Sequence, residues 1–91
     1  MAKALVCDPS DNVATVLEDV AEGDTVTTED GSLSFRAKGP VPKFHKVALA
    51  DTEEGAAIIK YGNPIGTASA RIRRGEHVHV HNMVSSRGRR V

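Results

Sequence analysis

Ninety-one residues with 40% apolar side chains, 3% aromatics, no tryptophan and a formal net charge of zero allow one domain with a thin core and exclude a deep aromatic-lined pocket within the chain. The single cysteine, Cys7, excludes an intrachain disulfide and a cysteine-based zinc site. Neutral charge and few stacking aromatics argue against nucleic acid as a partner, no apolar run reaches the length of a membrane span, and the apolar run in Met1 to Val6 is too short for a signal peptide, so a cytoplasmic location is expected.

Charge is unevenly spread. Every acid except Glu76 lies before Gly55, and every base after Lys60 is an arginine. Such a basic end suits carboxylate, phosphate or an acidic partner surface. Arg87 to Arg90 are read more simply as a solvated tail.

In chain order, Ala4 to Cys7 is expected as a first strand and Asp8 to Asn12 as a turn. Val13 to Val20 carries conflicting signals. Val13, Val16, Leu17 and Val20 fit helical spacing, whereas their β-branching favours a strand. Thr25 to Arg36 is expected as a hairpin, with Asp30-Gly31 in a type I′ turn. Gly39-Pro40-Val41-Pro42 is a stiff extended connector. Ile58 to Tyr61 is a strand, Gly62-Asn63-Pro64 a turn, and Ile65 to Ile72 a strand or a strand plus a bend. Gly62 is expected at positive φ, and Tyr61 is expected to close the small core. A glycine followed three places later by an apolar residue recurs as Gly23/Val26, Gly55/Ile58 and Gly75/Val78. This echo implies short strands, each launched from a glycine turn.

The stretch His77-Val78-His79-Val80-His81-Asn82 alternates imidazoles with valines. In a regular strand the three histidines share one face and the valines the other. Two histidines spaced as His79 and His81 can reach one metal ion from a single strand. A polar, partly exposed sheet face accounts for the same residues about as well. Short strands bounded by glycine or proline turns, with no segment helical throughout, predict a small, mostly β, barrel-like domain with at most one or two helical turns.

The second half of the chain resembles the SAF domain, a β-clip fold, of the altronate dehydratase family, which includes galactarate dehydratase and sulfolactate sulfo-lyase. The resemblance runs through Pro42-x-x-His45-Lys46-Val47-Ala48-Leu49, then Glu54-Gly55-x-x-Ile58-Ile59-Lys60-Tyr61-Gly62-x-Pro64-Ile65-Gly66-x-Ala68. It ends in Ile72-x-x-Gly75-Glu76-His77-Val78-His79-Val80-His81-Asn82. Asp11-Asn12-Val13-Ala14 fits the family's start. Residues 1–84 are then the SAF-like domain and 85–91 a basic, flexible tail.

The resemblance implies a small subunit that works with a larger catalytic subunit on a sugar-acid or sulfo-acid substrate. The implied reaction is β-elimination: a base removes the proton α to a carboxylate, and water or sulfite departs from the β carbon. A divalent metal, iron or manganese, is implied beside the developing enediolate. His45 and Lys46 are the candidate catalytic pair, presented by the rigid segment before them. His79 and His81 are the candidate metal ligands, and His77, Asn82 and Arg71 the candidate substrate-binding residues. Asn82 is alternatively a residue that fixes backbone, and Arg71, with Arg73 and Arg74, alternatively contacts the large subunit. A thin core is also compatible with association between copies of the chain. A second reading from a different class is a non-catalytic SAF module for binding or assembly.

Overall fold

The computed structural model describes residues 2–85. Nine short strands form two sheets: β1 (Ala2–Leu5), β2 (Val13–Val16), β3 (Thr25–Thr28), β4 (Ser34–Arg36), β5 (Lys46–Ala48), β6 (Ala57–Lys60), β7 (Asn63–Ala68), β8 (His77–Val78) and β9 (Met83–Ser85). The larger sheet runs β4-β3-β1-β2-β5-β8 and the smaller β6-β7-β9. Only β1 and β3 pair in parallel; every other named pair is antiparallel. Among the described residues there is no helix, and so none long and apolar enough to cross a membrane. Val13 to Val16 is strand, as its β-branching favours. Ser85 closes β9, and the remainder of the expected tail lies outside the described residues.

Small apolar residues fill two cores. One packs inside the curled larger sheet, around Val16, Val26, Val41 and Val47. The other lies between the sheets, where Val13, Ala48 and Val78 meet Ile58, Ala68 and Ile72. Because β2 and β5 are buried on both faces, their apolar residues run consecutively instead of alternating. Val41, held between two prolines, is fully buried and bridges Val20.

The glycine echo has a structural cause. Ala21–Asp24, Glu53–Ala56 and Arg73–Glu76 are each closed by a 3.0 Å bond from the fourth N–H to the first carbonyl. Their third residues, Gly23, Gly55 and Gly75, sit at φ 88°, 89° and 94°, as in a type II turn. Each glycine N–H then donates to an alanine carbonyl (Ala37, Ala68 or Ala48), and that alanine's N–H donates back to the residue after the glycine. The three turns differ in what surrounds them. A Cβ at Gly55 would meet open space, but one at Gly75 would lie 2.5 Å from the Arg36 carbonyl oxygen. Gly55→Ala is expected to cost about 1–2 kcal/mol, from φ alone. Gly75→Ala adds a backbone clash and is expected to cost about 3 kcal/mol or more. Urea unfolding of the two variants checks the difference.

Two turn expectations are corrected. Asp30-Gly31 does not form a two-residue type I′ turn: β3 ends at Thr28, β4 begins at Ser34, and only Gly31 of the pair has positive φ. The Asp30 carboxylate accepts bonds from Ser32 N–H, Ser32 Oγ and Thr28 Oγ1, which holds a wider loop. The two-residue turn is at Tyr61-Gly62, with φ of 58° and 73° and Lys60 paired to Asn63. Tyr61 does not close the core. Its side chain is turned outward by the left-handed backbone, 65% exposed, with the Lys60 ammonium 3.8 Å from the ring centroid.

Candidate active site

His45 is delivered by the turn Pro42–His45, in which its N–H donates to the Pro42 carbonyl at 2.9 Å. The Val16 N–H donates to the His45 carbonyl at 2.9 Å, so β2 fixes the backbone on its other side. His77 enters on β8, paired to Val47 of β5. Continuing that antiparallel register by one residue sets His45 against His79, and their ring centroids are 4.6 Å apart.

The regular strand expected through Asn82 stops at Val78. Residues 79–82 turn away, and Val80 is 78% exposed instead of sharing the core with Val78. Buried Asn82 is the physical reason. Its Oδ1 accepts from the His79 N–H and its Nδ2 donates to the His77 carbonyl, each at 2.9 Å. The Asn82 N–H closes the turn on the His79 carbonyl at 3.1 Å. Asn82 therefore fixes the backbone of the two histidines it follows.

Ending the strand changes which rings meet. His45 Nδ1 and His77 Nε2 are 2.9 Å apart, so one nitrogen donates and the other accepts. One ligand nitrogen from each of His45, His77 and His79 lies within 4.8 Å of the others. His81 is exposed; its ring centroid is 5.2 Å from that of His77, and it is outside that group of three. Strand alternation puts Lys46 on the face of Ala48 and Val78, away from His45. The expected His45–Lys46 pair is thus divided between two faces. Burial, then the Lys60 charge, depresses the Lys46 ammonium.

Arg71 sits on another flank, 3.6 Å from Asp51 and from Glu53. These exposed ion pairs are weak, leaving the guanidinium able to exchange partners. A shallow depression of about 560 Å³ brings Arg71, His77, His81 and Asn82 together with Lys38 and Glu76. Nothing in the sequence singled out Lys38, which precedes the Gly39-Pro40 connector. A second concavity, about 410 Å³, lies away from the imidazoles and holds Asp8, Asp11 and Asp30. Those carboxylates already accept N–H or hydroxyl groups from their own loops and, for Asp11, from the turn at Tyr61-Gly62, so the imidazole end is the candidate site.

Burial brings the His77 imidazole from its ordinary 6.5 down to about 4, helped by charge on His45, His81, His79 and Lys46. Slight desolvation, then the His45 charge, lowers His79 as well. Both rings are therefore neutral at pH 7, the form that ligates a metal or accepts a proton. Bonds of about 2.0–2.2 Å to a divalent ion separate neighbouring donors by roughly 3 Å; His45 Nδ1 and His77 Nε2 stand at 2.9 Å, and the group's third nitrogen is within 4.8 Å of both. No Asp or Glu joins the group among the described residues, whereas iron and manganese also favour oxygen donors.

The depressed His77 has a consequence for stability. Between pH 6.5 and about 4 the unfolded chain binds a proton that the folded chain does not, so stability rises with pH across that window. Acidifying the metal-free protein from pH 7 to 4 is expected to cost about 1–2 kcal/mol through His77, after allowance for solvent screening. Urea midpoints across that range, compared between the parent and His77→Gln, check it.

Residues 2–86 match the altronate/galactarate dehydratase SAF domain. The chain is 49% identical over 72 residues to altronate dehydratase of Escherichia coli, covering 79% of this chain but 14% of that protein. It is 38% identical over 88 residues to the (2R)-sulfolactate sulfo-lyase subunit alpha of Chromohalobacter salexigens, covering 91% of this chain and 94% of that one. The subunit alpha of Paracoccus pantotrophus is 37% identical over 62 residues, 68% of this chain and 92% of that one. With a match over nearly all its length, the chain belongs to the altronate/galactarate dehydratase SAF domain family.

Proposed function

We propose that this chain is the small subunit of a sugar-acid-type dehydratase or lyase, altronate dehydratase-like or sulfolactate sulfo-lyase-like. In this reading it is cytoplasmic and supplies one wall of a β-elimination site that a larger catalytic subunit completes. The observation that carries the reading is the convergence of His45, His77 and His79 at the open end of β5 and β8, with no carboxylate in the group among the described residues. Two relatives named as alpha subunits, each covered over more than 90% of its length, support a separate small subunit. The 14% share of altronate dehydratase supports a large remainder that carries the rest of the chemistry.

Neutral His77, hydrogen-bonded to His45, is suited to accept a proton or to present a lone pair. Arg71, His81 and Lys38 around the depression are suited to hold the carboxylate of a sugar acid or the sulfonate of a sulfo acid. Asn82 sets the direction of His77 and His79 through their backbone. His45, His77 and His79 would hold an iron or manganese ion, in place of the His79–His81 pair suggested by spacing alone. Such an ion, when bound, supplies positive charge next to the carboxylate on which negative charge develops.

The test is an assay of dehydration of altronate or galactarate, and of sulfite release from sulfolactate, by the chain alone and with a candidate large subunit from the same organism. Turnover is expected only from the mixture. Full turnover by the isolated chain would overturn the shared-site reading.

A further inference from the structure

We infer that Phe44 and Val80 are the apolar anchors by which the imidazole-bearing end of this domain docks onto the larger catalytic subunit, a step that rests on the small-subunit reading above. The turn Pro42–His45 is closed by the same fourth-to-first bond as the three glycine turns, here 2.9 Å long. Its third residue, Phe44, has φ 70°, where the other three turns carry glycine. A bulky side chain in the left-handed region is held against a steric cost. The ring does not offset that cost by burial, because it is 65% exposed, with the Lys43 ammonium 4.9 Å from its centroid. For folding alone, glycine would serve better at this position.

Val80 is the corresponding residue on the facing chain. The register pairs Lys46 with Val78 and Val47 with His77, and just beyond it the His45 and His79 rings meet at 4.6 Å; Phe44 and Val80 are the next residues in the chain, each in its own turn. Val80 is 78% exposed, at the tip of a turn whose shape is set by Asn82. An exposed apolar residue thus stands next in sequence to each of two histidines whose rings meet. A strained residue kept at such a place points to a partner surface.

Charge selects the occupant. The imidazole group includes no carboxylate among the described residues, and the exposed Lys43 stands two residues before His45 on the same turn. A second copy docked symmetrically on this edge would bring a second Lys43 to the interface, with no carboxylate from the imidazole group to meet it. The fitting surface is one with an apolar seat for the Phe44 ring and carboxylates facing the imidazoles, as the subunit that completes the site would need.

The test titrates the full chain, Phe44→Gly and Val80→Ser against the candidate large subunit used in the activity assay, by calorimetry. Urea unfolding and sedimentation of each small chain alone accompany the titration. Each substitution is expected to weaken binding by about tenfold or more. Phe44→Gly should leave the urea midpoint unchanged or raise it, and the isolated chain should sediment as a monomer. Binding unaltered by either substitution overturns the docking role and leaves the small-subunit reading standing. Failure of the unaltered chain to bind overturns that reading and the inference with it. A lowered urea midpoint for Phe44→Gly, with Val80→Ser binding normally, assigns Phe44 to packing and overturns the proposal. A homodimer that Val80→Ser dissolves overturns the choice of occupant.

Discussion

Replacing Asp11 with alanine should lower the unfolding free energy by about 3–5 kcal/mol, a large part of the roughly 5–14 kcal/mol expected for a domain of this size. The carboxylate is 8% exposed and accepts four backbone N–H groups. Two come from the segment just before it, Cys7 and Asp8, and two from the distant turn, Tyr61 and Gly62. Those last two donors belong to residues with positive φ, one of them a tyrosine. Asp11 therefore stabilises a strained hairpin tip while joining the two sheets. Its neighbour Asn12 continues the clamp, donating to the Ala57 carbonyl at 2.9 Å and accepting from the Ile59 N–H at 2.8 Å. Asparagine at position 11 should cost nearly as much as alanine, because its amide NH₂ would face N–H donors. Asp8→Ala serves as the control. Its carboxylate binds exposed Ser10, and a much smaller loss than for Asp11 is expected. Urea unfolding gives the magnitudes, and hydrogen exchange at Tyr61 and Gly62 should show those amides losing protection. A loss below about 1 kcal/mol for Asp11→Ala would sink the clamp.

The fold was legible where local chemistry decides it. Glycine at Gly23, Gly55 and Gly75 marked three strand launches because a type II turn needs positive φ at its third position. The prolines flanking Val41 excluded helix, and the β-branched residues of Val13 to Val16 prevailed over their helical spacing because both faces of that strand are buried. Failures came where a distant group decides. Asp30-Gly31 has the composition of a tight turn, but the Asp30 side chain is taken up by Thr28 and Ser32. Tyr61 in a left-handed conformation is intelligible only once Asp11, fifty positions earlier, is seen to hold its N–H.

At the site, the histidines themselves were legible, whereas their grouping was not. Alternation from His77 to His81 presumes a strand that continues. The turn begins at His79 because Asn82 folds its amide back onto the two backbone groups before it. Five residues after His77, nothing in the sequence states whether an asparagine will point to a ligand or to its own backbone. His45 joins the cluster through strand pairing across more than thirty residues, a relation that no local spacing encodes. Sequence placed Lys46 beside His45, and the pleat of the sheet then separates them.

If the chain is the proposed lyase subunit, alanine at His45, His77 or His79 should lower kcat of the assembled enzyme by about a hundredfold or more, together with any iron or manganese it holds. His81→Ala should act mainly on KM, since its ring borders the depression without joining the three nitrogens. None of the three core substitutions should destabilise the isolated chain by more than about 1 kcal/mol at pH 7, because the rings are only partly buried and the strand ends are held by backbone bonds. At pH 5 the expected sign reverses for His77→Ala. That variant loses the ring whose burial opposes protonation, so it should resist acid better than its parent. A site variant that is inactive yet more acid-stable would separate the two roles: imidazoles kept neutral for chemistry, at a cost in stability that folding alone does not explain. Full activity and unchanged metal content in the His45→Ala and His79→Ala enzymes would instead reduce the cluster to a polar sheet edge and leave the domain as an assembly module.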